Sequence, residues 1–132
     1  MRGRCCARVF HNRSFGRFAR EEHIGASALC AAVERAEDGH IDADLGGGVI
    51  QQRVARPGEG KSGGFRTIIL YRAGERAFFV YGFAKSERGN IRADELKAFR
   101  LLAGNTLSKS EEDILADLKA GALIEVICNE GR

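Results

Sequence analysis

The sequence predicts an α+β fold in which helices pack against an antiparallel β-sheet. Apolar residues recur at helical spacing in the first and last thirds of the chain. Between them, residues 49–84 hold runs of β-branched and aromatic residues separated by glycine-containing loops. At 132 residues and 44% hydrophobic composition, the chain can bury an ordinary core. We therefore expect a single domain over residues 1–132.

The N-terminal part predicts a strand followed by a helical hairpin. Residues 5–10 form a short apolar run, and residues 13–22 place two phenylalanines at helical spacing. The clearest helix covers residues 26–38, and Gly39 is well placed to end it. Its apolar stripe consists of Leu29, Ala32, Val33 and Ala36.

Three consecutive glycines at 46–48 break the helical pattern, and strands follow. The predicted strands cover residues 49–55, 65–71 and 76–84. The tight turn at 72–75 requires the last two to be antiparallel. A meander of all three strands is the simplest arrangement.

The C-terminal part predicts two helices. Residues 93–103 place apolar side chains on one face, and a second helix begins near Ser108 or Ser110 and ends near Gly121. Residues 122–128 then predict a short strand or an extended tail.

The cysteines and histidines do not predict a metal site. No Cys-x-x-Cys pair occurs, and the three histidines have no regular spacing from the cysteines. We expect reduced thiols in or near the core, and neither a metal nor a cofactor. The cysteines are Cys5, Cys6, Cys30 and Cys128.

No apolar run approaches the roughly 20 residues that a membrane-spanning helix needs. The N-terminus is basic and lacks the apolar segment of a secretory signal. These features predict a cytoplasmic protein with no membrane partner.

Charge is distributed in blocks that suggest a polyanion partner. Residues 49–92 carry nine Lys or Arg and three Glu, whereas residues 21–48 carry one Arg and seven acidic residues. The basic central segment is where a polyanion would bind.

Within that segment, ARPGEGKSGG at residues 55–64 fits a permissive P-loop pattern. A P-loop opens a helix, whose N-terminus binds the nucleotide phosphates. Here the lysine is followed by glycines and then by Phe65-Arg66-Thr67, which predict a strand. The sequence therefore argues against nucleotide hydrolysis. A loop rich in glycine and cations still suits a phosphate of another kind, and Tyr81 nearby suits an RNA strand.

Two long runs resemble the RelE/HigB-type toxins of type II toxin–antitoxin systems. They are QRVARPGEGKSGGFRTIILYR at 52–72 and FFVYGFAKSERGNI at 78–91. The order of elements agrees over about residues 5–104, while the C-terminal helix and tail at 105–132 match less distinctively. The resemblance implies a RelE-like fold, an antitoxin partner, and mRNA cleavage on the ribosome.

Metal-independent RNA cleavage needs a base for the attacking 2′-hydroxyl, charge stabilisation at phosphorus and an acid for the leaving 5′ oxygen. RelE-like toxins use mainly Lys, Arg and Tyr, and this chain has no histidine in residues 41–132. Lys61 and Lys85 match the family lysines, and either could act as base. Arg66 is the candidate for stabilising the phosphorane.

The remaining candidates would hold the RNA. Tyr81 would stack on a base or hydrogen-bond to the sugar-phosphate, and we include it in the catalytic set. The candidates for binding RNA are Arg53, Arg56 and Arg88.

Two other functions stay open from the sequence. ParE-type proteins share the fold but inhibit DNA gyrase, and fold alone does not decide between these activities. A non-catalytic RNA-binding protein is the other alternative.

Overall fold

The computed structural model describes residues 7–56 and 64–128. In these ranges the chain forms six strands and four helices. In chain order they are β1 (Arg8–Asn12), α1 (Arg13–Glu21), α2 (Ala26–Glu37), β2 (Ala43–Gly46), β3 (Val49–Val54), β4 (Phe65–Arg72), β5 (Arg76–Ala84), α3 (Ala93–Leu107), α4 (Glu111–Ala120) and β6 (Leu123–Val126).

All six strands belong to one sheet with the order β2-β3-β4-β5-β1-β6. The predicted meander is confirmed, because β3, β4 and β5 pair in sequence and antiparallel. The N-terminal strand β1 lies parallel to β5 and antiparallel to β6. The sheet is therefore mixed, and the α+β class is confirmed.

The strand β2 was not predicted. The glycines at 46–48 that indicated a break form the turn between β2 and β3, with φ values of 84°, 65° and 86°. Because only glycine adopts such angles readily, three in succession allow a tight reversal. The sequence signal was correct in showing an end to helix, but the segment before it pairs as an edge strand.

Helices cover both faces of the sheet. On one face, Phe15 of α1 and Val33 of α2 pack with Ile69 and Phe79. On the other, Ala103 of α3 and Ile114 of α4 pack with Phe10, Ile68 and Phe78. The alternation of side chains along each strand divides the core in this way. We call these the α1/α2 face and the α3/α4 face.

The prediction of reduced thiols was wrong for two of the four cysteines. Cys30 of α2 and Cys128, just after β6, form a disulfide with their Cα atoms 5.6 Å apart. The two residues are 98 positions apart in the sequence. Pairing of β6 with β1 brings Cys128 beside α2, and spacing alone could not reveal this. Cys5 and Cys6 lie outside the described residues.

Across residues 7–56 and 64–128, no helix is long and apolar enough to cross a membrane. The same ranges contain no group of three or more His, Cys, Asp or Glu side chains that could hold a metal ion.

Candidate active site

Two of the predicted cations, Arg53 and Arg66, lie on the α3/α4 face, at the end of the sheet where β3 stops and β4 starts. Arg53 is paired with Arg66 across β3 and β4, and Arg66 is paired with Phe83 across β4 and β5. Ile68, two residues after Arg66, packs in the core of the α3/α4 face. Since side chains alternate along a strand, Arg53, Arg66 and Phe83 share this face.

A β-bulge in β5 adds Tyr81 to the face. Ile69 pairs with Phe79 and Ile68 pairs with Tyr81, so Val80 is an extra residue without a partner in the ladder. The bulge shifts the alternation by one position. Without it, Tyr81 would point toward α1 and α2. With it, Tyr81 lies diagonally across from Arg66.

Arg66 is the most available cation of this face. Its side chain makes no hydrogen bond or ion pair to any residue that the structure describes, and its Nε atom is buried without a partner. A guanidinium carries five N–H donors in a planar fork that suits a phosphate. No group in residues 7–56 or 64–128 therefore competes with an anion for Arg66.

Arg53, in contrast, is held by Asp42. The Arg53 backbone N–H donates to Asp42 Oδ2 at 2.7 Å, and its Nη2 lies 3.6 Å from Oδ1. Burial alone would raise the pKa of the Asp42 carboxyl. The N–H of Arg53 and the guanidinium groups of Arg53 and Arg35 outweigh burial and lower this pKa below its ordinary value. Asp42 therefore stays ionised and competes with any phosphate for Arg53.

Arg88 is also held by protein groups. Its Nη2 and Nη1 lie 2.6 Å and 3.2 Å from the two carboxylate oxygens of Glu95, and Nη1 also donates to the Tyr81 hydroxyl at 2.8 Å. The hydrogen bonds that Arg88 donates to Glu95 and to Tyr81 raise the pKa of Arg88. Those from Arg88 and from the Arg92 N–H lower the pKa of Glu95 to about 2. Arg88 is thus hydrogen-bonded to both Tyr81 and Glu95, and its contact with RNA stays a prediction.

Of the two candidate lysines, the structure describes only Lys85. Lys85 is exposed in the turn after β5, one residue beyond the pairing of Ala84 with Phe65. No hydrogen bond or ion pair joins it to the described parts of the chain. Lys61 lies outside the described residues, three positions before Gly64 in the sequence.

Arg56 lies apart from the other candidates. Its guanidinium carbon is 4.6 Å from the centre of the Phe65 ring, and Phe65 belongs to the core of the α1/α2 face. This cation–π contact holds Arg56 on the opposite side of the sheet from Arg66. The structure therefore does not bring Arg56 to the shared face.

Two residues of this region were missed in the sequence. Glu95 carries a detectable signal, because it stands three positions after the residue that precedes α3, where a helix-capping carboxylate is common. Gln51 faces the α3/α4 side with its Oε1 atom buried and without a partner. Its neighbour Gln52 faces the other side and donates to the Ala32 carbonyl at 2.9 Å.

Close packing of the backbone explains why Gly64, one of the two glycines that precede β4, has no side chain. A Cβ atom at this position would lie 2.1 Å from the carbonyl oxygen of Val54. The strands β3 and β4 therefore approach each other too closely for any side chain where the basic loop joins the sheet. The glycine pair thus has a packing role beside any part in binding phosphate.

One known protein family matches most of the chain. A family model described as the RelE toxin of the RelE / RelB toxin-antitoxin system matches residues 7–126. The match includes every candidate residue of the site. A search of curated proteins found no match.

Proposed function

The chain belongs to the RelE toxin family, and from this premise we propose that it cleaves mRNA in the ribosome without a metal ion. As a RelE toxin it is the toxic component of a toxin–antitoxin system, and the family implies an antitoxin partner. Ribosome and mRNA are the proposed substrates. The observation that carries the proposal is Arg66, a half-buried cation with no hydrogen-bond or ion-pair partner among the described residues, on one sheet face with Tyr81.

The proposed reaction is an attack by a ribose 2′-hydroxyl on the adjacent phosphate. Arg66 would bind the phosphate and stabilise the charge that develops on its oxygens. Lys85, exposed beside the same end of the sheet, and Lys61 would divide two roles between them. One, as the neutral amine, would accept the 2′-hydroxyl proton, and the other, as the ammonium cation, would bind the scissile phosphate.

The test is primer extension on mRNA after brief induction in bacteria. We expect wild-type protein to produce cuts at codon-spaced positions and to arrest growth. The variants Lys61→Ala, Arg66→Ala and Lys85→Ala should each reduce cutting. Arg56→Ala is the matched control, since it removes a cation that lies on the other side of the sheet.

Three outcomes would contradict the proposal. Growth arrest with intact mRNA and DNA damage signalling would indicate gyrase inhibition instead. RNA binding without cuts on translating ribosomes would indicate a non-catalytic protein. Full growth arrest by all three variants would show that the proposed residues do not form the site.

A further inference from the structure

The hydrogen bonding of Tyr81 determines which way its hydroxyl group can act. A tyrosine hydroxyl carries one proton and accepts through its oxygen, whereas a guanidinium only donates. Arg88 Nη1 donates to the Tyr81 oxygen at 2.8 Å. The Tyr81 proton is therefore not used in this contact, and it has no acceptor among the residues that the structure describes.

The Arg88 guanidinium is held in place by Glu95 and Asn90. Both of its terminal nitrogens contact the Glu95 carboxylate, and its Nε donates to the Asn90 carbonyl at 3.1 Å. Glu95 in turn accepts from the Arg92 N–H at 2.8 Å, at the start of α3. Arg88 therefore cannot leave the Tyr81 oxygen without breaking a bidentate ion pair.

The Tyr81 ring is also held in place. Its centre lies 5.8 Å from the Phe83 ring and 5.9 Å from the Phe99 ring. The bulge at Val80 places the ring on the face that carries Arg66, at a diagonal position on the neighbouring strand. Diagonal neighbours are about 7–8 Å apart, so one phosphate can contact both side chains.

We propose that Tyr81 donates its proton to the departing 5′ oxygen during RNA cleavage, and that Arg88 and Glu95 are positioning residues for this step. This inference rests on the proposed function. The 2′ oxygen bonds to phosphorus as its own proton passes to the neutral amine of a lysine, and the ammonium so formed later releases that proton to water. The bond from phosphorus to the 5′ oxygen breaks, and that oxygen takes the Tyr81 proton. The products are a 2′,3′-cyclic phosphate and a 5′-hydroxyl, and the tyrosinate regains a proton from water.

The local charges suit this direction of transfer. A tyrosinate formed at Tyr81 would already accept a hydrogen bond from a cation, and charge-assisted bonds of this kind are stronger than neutral ones. A tyrosine hydroxyl gives up its proton more readily than a guanidinium, which stays charged in proteins. Tyrosine is therefore the better proton donor of the two. Lys85 is the other group near this face that could donate a proton, and the variants below distinguish it from Tyr81.

The test compares two mRNAs bound to programmed ribosomes. One has the natural 5′ oxygen at the cleaved position, and the other has sulfur there, which leaves without being protonated. We expect Tyr81→Phe to reduce single-turnover cleavage of the oxygen substrate by about 10²–10⁴-fold, the usual range for general acid catalysis. With the sulfur substrate, Tyr81→Phe should cleave nearly as fast as wild type.

The positioning residues should follow the same pattern. Arg88→Met and Glu95→Gln should reduce cleavage of the oxygen substrate less than Tyr81→Phe does, and sulfur should restore both. Tyr71→Phe is the matched control because Tyr71 is the other of the chain's two tyrosines and its hydroxyl contacts Glu37 instead. Its ratio of oxygen to sulfur cleavage should equal that of wild type.

The outcomes separate this inference from the proposed function. If wild type cleaves both substrates but Tyr81→Phe is equally defective on both, then Tyr81 acts by stacking and the inference is overturned. If sulfur restores Lys85→Ala but not Tyr81→Phe, then Lys85 is the acid and the inference is also overturned. If wild type cleaves neither, the proposed function itself fails and the inference falls with it.

Discussion

Arg53 and Arg66 are paired across β3 and β4, and of the two only Arg53 has an ion-pair partner within the described residues. Two guanidinium groups on opposed positions of one sheet face repel each other. Asp42 offsets this repulsion for Arg53, and a bound phosphate would do so for Arg66. Arg53 therefore has a structural role through Asp42, whereas Arg66 is the arginine of the pair that a substrate phosphate would bind.

We predict that Arg66→Ala abolishes toxicity with little loss of stability. Cleavage should fall by about 10²-fold or more, the scale of losing one charge-stabilising donor. The free energy of unfolding should change by less than about 1 kcal/mol, since the Arg66 side chain has no described partner to lose. Cleavage assays and urea unfolding of the purified variant measure the two effects.

Arg53→Ala provides the control for this prediction. It should destabilise the fold by about 0.2–1 kcal/mol through loss of its contact with Asp42, and should reduce cleavage less than Arg66→Ala. A larger activity loss for Arg53→Ala than for Arg66→Ala would reverse the assignment.

Glu95 predicts a pH dependence of stability. Its pKa is lowered from 4.5 to about 2 in the folded chain, chiefly by the hydrogen bond from Arg88. The unfolded chain therefore binds more protons in this interval, and stability falls as pH decreases from about 4.5 to about 2. Above the unfolded-state value the contribution is fully present.

The variant Glu95→Gln should lack this pH-dependent contribution to stability. The difference in melting temperature between wild type and Glu95→Gln should be constant above about pH 5.5 and shrink as the pH falls toward 2. Asp113→Asn serves as control, since no hydrogen bond or ion pair joins that carboxyl to another described residue, and the difference in melting temperature for it should not follow this course. A constant difference for Glu95→Gln down to pH 2 would show that Glu95 is not paired with Arg88 in solution.

The sequence predicted the main elements because each rests on local signals. Helical spacing identified α1, α2, α3 and α4, and β-branched runs identified β3, β4 and β5. The strand β2 was not predicted because it has four residues and ends in glycine. An edge strand this short has too few residues to show a clear alternation of apolar and polar side chains. The parallel pairing of β1 with β5 was not predicted because it depends on the tertiary arrangement of elements that are distant in the sequence.

The candidate site was predicted in part, for the same reason. Arg66 and Tyr81 could be identified from motifs. Their position on a common face depends on a β-bulge, which the sequence around Val80 does not predict. Arg56 follows Val54 onto the α1/α2 side, since the two residues are two positions apart on an extended chain. The disulfide of Cys30 with Cys128 joins residues that only the complete sheet brings together.

Gly82 predicts a steric limit beside the site. A Cβ atom there would lie 2.4 Å from the Phe18 ring of α1. The Phe18 ring also packs on Phe65, with ring centres 5.5 Å apart, so it cannot retreat freely. We expect Gly82→Ala to destabilise the fold by about 1–3 kcal/mol, the usual cost of overpacking a core.

Urea unfolding of three variants tests this steric limit. Gly89→Ala is the control, since a Cβ atom there would meet nothing within 4 Å, and it should be nearly neutral. Phe18→Leu should recover part of the loss when combined with Gly82→Ala, because it removes the clashing ring atoms. Equal stability of Gly82→Ala and wild type would show that α1 does not lie against this strand as described.

The disulfide between Cys30 and Cys128 predicts a dependence of stability on reductant. It connects residues 98 positions apart and attaches the end of β6 to α2. A crosslink restricts the unfolded chain, and a disulfide typically stabilises a fold by about 2–4 kcal/mol. We expect dithiothreitol to lower the urea midpoint of wild type accordingly. Cys128→Ser should have the lower midpoint with or without dithiothreitol, whereas Cys6→Ser should respond like wild type. Detection of four free thiols in the unfolded chain before reduction would contradict the bond.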